Sequence, residues 1–134
     1  MSSSPSSSDL PPAATLLGRR IVSLDAEAGT AVLTYDARPE FANRHGTVQG
    51  GLLAAMLDSA TGATLTACLP PDLTAVTTRL TTTFVKAAPV GPLTATVRIV
   101  ANDGRGAEVE AAMAGPDGAV VARGVAQLRI LKRR

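Results

Sequence analysis

The sequence predicts an α+β domain in which one antiparallel β-sheet wraps around a single apolar helix. The chain has 134 residues, which is enough for one domain with a hydrophobic core and too few for two. From Leu52 to Leu69 it is apolar apart from one charged side chain, Asp58, and strand-like segments flank this run on both sides. Because a helix that is apolar on nearly every face must be enclosed, a curved antiparallel sheet around it is the simplest arrangement.

The chain before the helix divides into a tail and a hairpin. Residues 1–14 are rich in Ser and Pro and are predicted to form a disordered tail, because they cannot bury enough apolar surface to fold. Residues 15–134 are then a single domain. Arg19–Leu24 and Thr30–Asp36 are predicted strands, and the turn-rich segment Asp25–Gly29 between them indicates a hairpin.

The central helix is predicted to run from about Gln49 to Cys68. An irregular loop, Phe41–Gln49, leads into it. The pair Pro70-Pro71 ends it, because proline lacks an N–H donor and its ring clashes with the preceding turn.

Strands separated by turns are predicted to fill the rest of the chain. They cover Ala75–Val85, Leu93–Ala101, Ala107–Met113 and Ala119–Leu131, with turns at Pro89–Pro92, Asn102–Gly104 and Pro116–Gly118. In the first strand, period-two alternation sets Val76, Leu80 and Phe84 against Thr77, Arg79, Thr81 and Thr83. In the third, Ala107, Val109, Ala111 and Met113 oppose Glu108 and Glu110. Each of these strands therefore presents one apolar face.

Composition argues against several classes of protein. The net charge is +2 and only three side chains are aromatic, which is a poor basis for stacking on single-stranded nucleic acid. Cys68 is the only cysteine, so an intrachain disulfide and a CxxC metal site are excluded, and the thiol is expected to be a small buried group. There is no signal-peptide pattern, and the acid and small residues of the helix argue against a membrane span. We therefore expect a cytoplasmic protein.

The start of the helix carries the strongest functional signal. A lone carboxylate such as Asp58 is costly to bury in an apolar helix, so it is expected to be kept for a partner or for chemistry. The pair Gly50-Gly51 supplies backbone N–H groups where the helix begins, and such groups suit an anion or an oxyanion. The helix therefore carries both an acid and a candidate anion or oxyanion site.

These residues resemble a known family. The motif Asn-x-x-Gly-Thr-x-x-Gly-Gly followed by an acid is formed by Asn43, Gly46, Thr47, Gly50, Gly51 and Asp58. Over Arg19 to Ile130 the chain is similar to the hotdog-fold acyl-CoA thioesterases of the phenylacetyl-CoA and 4-hydroxybenzoyl-CoA type. Thr77 matches a Ser or Thr of the family, and Gly104-Arg105 matches a Gly-Arg turn. Gln49 is a departure, because the family usually has His before the glycine pair.

The resemblance implies a role for each matching residue. The N–H of Gly50 would hold the thioester oxygen, and Asp58 would be the nucleophile or the general base. Asn43 would orient the attacking water or the thioester, and Thr77 would bind the acid or the water. Gln49 can donate a hydrogen bond there but cannot become a cation. Gly51, His45 and Arg105 are the expected substrate contacts, with Arg105 meeting CoA phosphates. No cofactor and no metal ion are implied.

The spacing of the two main groups predicts a site shared between chains. Gly50 and Asp58 are eight residues apart, or roughly 12 Å along a helix, whereas a reacting carbonyl carbon lies about 3 Å from both its nucleophile and its oxyanion donors. If both residues act on one thioester, they come from two chains packed antiparallel. We therefore expect a homodimer, or a dimer of dimers, which also agrees with the family.

Less specific interpretations stay open at this stage. Asp58 would be structural if it only accepted hydrogen bonds, for example from Thr61, and Gln49 would be structural if it only began the helix. The basic end Lys132-Arg133-Arg134 is more typical of a solvated surface than of a phosphate site. The predicted function is an acyl-CoA or acyl-carrier-protein thioesterase, and the alternative is a non-catalytic acyl-CoA-binding hotdog protein. A dehydratase that uses His45 is a third possibility. The acyl group is not readable from the sequence.

Overall fold

A computed structural model describes residues 10–134, and it contains one six-stranded sheet and one long helix. In chain order the elements are α1 (Pro12–Leu16), β1 (Arg20–Asp25), β2 (Thr30–Ala37), a 3₁₀ turn (Pro39–Phe41), α2 (Gly50–Ala67), β3 (Leu73–Phe84), β4 (Gly91–Asn102), β5 (Gly106–Ala114) and β6 (Val120–Lys132). Every strand pair is antiparallel, and the order across the sheet is β1-β2-β4-β5-β6-β3. The predicted hotdog fold is confirmed.

The core lies between α2 and the concave face of the sheet. Met56, Leu57, Ala60 and Leu65 of the helix are fully buried. Alternate residues of the strands cover them, including Leu33, Leu93, Val97, Val109 and Met113. The predicted alternation of β5 is confirmed, since Ala107, Val109, Ala111 and Met113 are all buried. Burial of this apolar surface is the main force that holds the sheet around the helix.

The start of the domain differs from the prediction. Residues 1–9 of the expected tail lie outside the described residues, but Pro12–Leu16 forms the short helix α1. Pro12 is its first residue, where proline suits a helix, and Ala14 and Leu17 are buried. The carbonyl of Leu17 also accepts a hydrogen bond from Asp36 N (3.0 Å). The ordered chain therefore begins before residue 15, because this turn packs on β2.

A β-bulge corrects the predicted faces of β3. The pairing with β6 shifts by one residue between Thr77 and Arg79. Thr77 is opposite the buried Leu128 and Phe84 is opposite the buried Ala122, so both lie on the concave side. Val76 is opposite the exposed Arg129, on the convex side. The prediction that Val76 shares the face of Leu80 and Phe84, and that Thr77 opposes it, is wrong because the extra residue reverses the alternation.

Both edges of the sheet leave apolar side chains uncovered on the concave side. Ile21 and Leu24 of β1 pair with the buried Leu33 and Ala31, so they point toward the helix, yet they are 47% and 40% exposed. Phe84, at the end of β3, is 54% exposed.

Within residues 10–134, no helix has the length and apolar character needed to cross a membrane. The cytoplasmic location stays a prediction.

Candidate active site

A closed loop sets the start of α2. The side-chain oxygen of Asn43 accepts hydrogen bonds from the backbone N–H groups of His45 (2.9 Å) and Thr47 (3.2 Å), and its amide donates to Thr47 Oγ1 (3.1 Å). Gly46 has a φ of +78°, which favours glycine at this turn. The backbone of Gln49 then donates to the Phe41 carbonyl (2.9 Å). Asn43 therefore shapes the loop, and its amide is engaged there.

The helix begins with two free backbone donors. Gln49 is the N-cap residue, but its exposed side chain makes no capping hydrogen bond. The N–H groups of Leu52 and Leu53 donate to the Gln49 carbonyl. Among the described residues, the N–H groups of Gly50 and Gly51 have no acceptor. Such unpaired donors at the positive end of a helix attract a negatively charged oxygen.

Asp58 lies on an exposed part of α2, in contact with β3. The hydroxyl of Thr77 donates to Asp58 Oδ1 (2.7 Å), and Oδ2 has no donor among residues 10–134. Thr61 is not a partner of this carboxylate, because its hydroxyl donates to the backbone carbonyls of Leu57 (2.9 Å) and Asp58 (3.1 Å). The expected burial of Asp58 is wrong for the single chain, in which the carboxylate faces outward.

A polar cluster that the sequence did not indicate lies beside Asp58. Ser59 Oγ accepts hydrogen bonds from the Tyr35 hydroxyl (3.1 Å) and from Arg19 Nη1 (3.2 Å). Burial raises the pKa of Tyr35 to about 12, although the hydrogen bond to Ser59 and the charge of Arg19 act in the opposite direction. Tyr35 therefore stays a neutral donor at physiological pH and holds this face of α2 on β2.

A cavity of about 260 Å³ opens next to Gly50. Its lining includes Val48, Leu53, Phe84, Val85 and Ala88, with Asn43 and Lys86 among its polar members. The ring of Phe84 lies so close to Gly50 that a β-carbon on the glycine would be 3.3 Å from two ring atoms. The sequence placed Phe84 among apolar face residues, and no local signal marked it as part of a site.

The remaining predicted contacts lie in exposed segments. His45 is in the loop before α2 and makes no hydrogen bond with Asp58 in the described chain. Arg105 is in the β4–β5 turn, whose backbone donors bind the Asp103 carboxylate at Arg105 N (2.9 Å) and Gly106 N (2.8 Å). These bonds, chiefly the one from Gly106, lower the pKa of Asp103. Because the backbone N–H of Arg105 is bonded to Asp103, Arg105 would contact a ligand through its side chain.

The structure brings the predicted site residues together in two separate groups. Asp58 and Thr77 are together near the middle of the helix, whereas Asn43, Gln49, Gly50 and Gly51 are together at its start. Gly50 and Asp58 are eight positions apart in α2, or roughly 12 Å along its axis. Within residues 10–134, no group of three or more His, Cys, Asp and Glu side chains is placed to hold a metal ion.

Comparison with known proteins identifies the family. The model of the thioesterase superfamily matches residues 45–122, which is more than half of the chain. A phenylacetic acid degradation-related protein of Ralstonia eutropha is 34% identical, with a TM-score of 0.85 over 90% of this chain and 92% of that one. BH2602 of Bacillus halodurans, solved with CoA, is 29% identical, with a TM-score of 0.71 over 75% of this chain and 66% of that one.

The fold is shared more widely than the sequence. The PaaI protein of the Escherichia coli phenylacetic acid degradation operon is 24% identical, with a TM-score of 0.79 over 88% of this chain and 83% of that one, and this likeness shows the fold alone. A search of the curated proteins finds no significant match. The superfamily match, which spans the end of the loop, α2 and strands β3 to β5, shows that the chain belongs to the thioesterase superfamily and is a thioester hydrolase.

Proposed function

We propose that this protein hydrolyses an acyl-CoA thioester. The Asp58 carboxylate acts as the nucleophile or the general base, and the N–H of Gly50 is the oxyanion donor. The observation that carries the proposal is the hydrogen bond from Thr77 to Asp58 (2.7 Å) in a chain whose helix start has unpaired N–H groups. The presence of CoA in the Bacillus halodurans neighbour supports CoA as the thiol. An acyl-carrier-protein thioester would present the same carbonyl group.

The chemistry follows from where charge develops. When the thioester carbonyl is attacked, its oxygen becomes negative, and the Gly50 N–H at the positive end of the helix stabilises it. Asp58 Oδ2 either attacks the carbonyl carbon or removes a proton from water. Attack expels CoA thiolate and leaves a mixed anhydride, which water then hydrolyses. In both routes the hydrogen bond from Thr77 to Oδ1 keeps Oδ2 directed at the substrate.

The two groups are proposed to meet across a dimer. Among residues 10–134, β3 pairs only with β6 and so has a free edge, and long free edges readily pair with another strand. Thr77 contacts Asp58, whereas Phe84 contacts Gly50, and both lie on the concave side of β3. Antiparallel pairing of two copies of β3, centred near Leu80 and Thr81, would place Thr77 beside Phe84 of the partner subunit. Asp58 of one chain would then approach Gly50 of the partner subunit.

The dimer would hold two equivalent sites, and a dimer of dimers would repeat them. We also propose that Arg105 contacts CoA phosphates. Its turn is followed by Ala107, which lies opposite Leu128 in β6, and Leu128 in turn lies opposite Thr77 in β3. The turn is therefore close to the end of the sheet that carries Thr77.

The function is tested by thiol release from a panel of acyl-CoAs. The expected result is release of CoA thiol from at least one of them. Binding of acyl-CoA without thiol release from any member would instead indicate the non-catalytic binding protein. Hydration of an enoyl-CoA without thiol release would indicate the dehydratase.

Mixing two inactive variants tests the shared site. Asp58→Asn removes the acid, and Gly50→Pro removes the N–H donor. If the site is shared, each mixed dimer has one site with both defects and one intact site. After unfolding and refolding an equimolar mixture, random pairing should restore about a quarter of wild-type activity. If both residues served one site within a chain, the mixture would be as inactive as its components.

Gln49 is predicted to act on the substrate and not on the fold. Its side chain is exposed and makes no capping bond, so Gln49→Ala should leave Tm unchanged. Loss of a donor near the thioester oxygen costs about 1–3 kcal/mol, so kcat/KM should fall roughly 5- to 150-fold. Gln49→His, which restores a donor, should preserve or raise kcat/KM. Unchanged kcat/KM in Gln49→Ala would remove this residue from the site.

A further inference from the structure

Phe84 is the exposed aromatic residue of a chain that has only three aromatic side chains. Tyr35 and Phe41 are 2% and 5% exposed, whereas Phe84 is 54% exposed. It lies on the concave side of β3, opposite Ala122. A large apolar side chain left in water on the concave face, beside a cavity, is typical of a surface that binds something apolar.

The ring lies directly beside the proposed oxyanion donor. A β-carbon on Gly50 would be 3.3 Å from Phe84 Cε1 and Cζ and 3.8 Å from Cε2. The backbone nitrogen of Gly50 is one bond from its α-carbon. Gly50 and Phe84 also line the same cavity, so a carbonyl group held there by the Gly50 N–H would lie in a cavity that Phe84 borders.

The cavity next to this ring has both apolar and polar lining residues. Val48, Leu53, Phe84, Val85 and Ala88 are its apolar members, and Lys86 is among its polar ones. The amide of Asn43 and the hydroxyl of Thr47 hydrogen-bond to each other. A hydrocarbon group packed on the apolar members would lose no hydrogen bond to water.

From these contacts we propose that Phe84 determines acyl specificity by packing against the hydrocarbon part of the acyl group whose carbonyl is held at Gly50. This inference rests on the proposed function.

The test compares acetyl-CoA, hexanoyl-CoA and phenylacetyl-CoA as substrates of wild type, Phe84→Leu and Phe84→Ala. The ratio of kcat/KM for two substrates does not depend on the fraction of active enzyme, so partial misfolding or dissociation does not obscure it. In Phe84→Ala, the preference for hexanoyl and phenylacetyl over acetyl should fall about ten-fold or more, because one methylene in an apolar pocket is already worth about ten-fold or more. In Phe84→Leu, this preference should be intermediate between those of wild type and Phe84→Ala.

Val125→Ala is the matched control, because Val125 is an exposed apolar residue on the convex side, opposite Thr81. It should leave the substrate ratios unchanged. An equal loss of kcat/KM for all three substrates in Phe84→Ala would mean that the ring contacts the shared CoA arm or only supports the subunits, and would overturn the inference. Unchanged ratios would overturn it as well. A wild-type protein that releases no thiol would overturn the proposed function and this inference with it.

Discussion

Asp58→Asn is expected to lower kcat by about 10²- to 10⁴-fold, the usual contribution of a positioned acid–base group. The asparagine amide has the shape of the carboxylate but is neither basic nor nucleophilic. Its oxygen can still accept the hydrogen bond from Thr77 that Asp58 Oδ1 now accepts. Because Asp58 is exposed in the single chain, the substitution should leave Tm nearly unchanged. Single-turnover thiol release together with thermal unfolding measures both effects.

Asp72→Asn is the control for this prediction. Asp72 is an exposed aspartate that follows α2, away from Thr77 and from the glycine pair. This variant should keep wild-type kcat. If Asp58→Asn turned over substrate at a similar rate to Asp72→Asn, Asp58 would be a structural acid. Transfer of ¹⁸O from solvent into Asp58 during single turnover would distinguish attack by the carboxylate from activation of water.

Gly50→Pro is expected to lower kcat/KM by about 10²- to 10³-fold, the effect of losing one oxyanion donor. Gly50 is the first residue of α2, where proline is well tolerated. Gln49 has φ −56° and ψ 131°, which is compatible with a following proline. The N–H that proline removes has no acceptor among the described residues. The fold should therefore persist while the donor is lost.

Gly50→Ala separates the donor from the steric effect. It keeps the N–H but adds a β-carbon 3.3 Å from the Phe84 ring, as proline also does. The ring must move by a few tenths of an ångström, so alanine should be less active than wild type. The kcat/KM of Gly50→Pro should be well below that of Gly50→Ala. Equal activity of the two variants at equal Tm would exclude the Gly50 N–H as the oxyanion donor.

Local patterns were sufficient to predict the architecture. The apolar run around Asp58 and the alternation in β5 are properties of neighbouring residues, because side chains repeat every 3.6 residues in a helix and every two in a strand. The turns at Asn102–Gly104 and Pro116–Gly118 were likewise visible in short segments. An enclosed helix and a covering antiparallel sheet follow from these periods without knowledge of the pairing partners.

The roles of β3 depended on the tertiary structure. The bulge between Thr77 and Arg79 arises from pairing with β6, about fifty residues later in the chain. A single extra residue turns Thr77 toward Asp58 and Val76 away from the helix, which strict alternation predicts the other way round. Likewise, the approach of Phe84 to Gly50 depends on a contact between distant segments. The hydrogen bonds of Asn43 are local, since they join it to His45 and Thr47.

By itself, the sequence determined the class of fold, the helix with its glycine start, and the distance along that helix between Gly50 and Asp58. Those features depend on short-range periodicity and on the fixed rise of an α-helix. The family resemblance named Thr77 as a partner of the acid or the water, and only the tertiary structure decided that its hydroxyl reaches Asp58 Oδ1 and that the Phe84 ring borders Gly50. Those contacts depend on strand register, and one residue of register moves a side chain to the opposite face of the sheet.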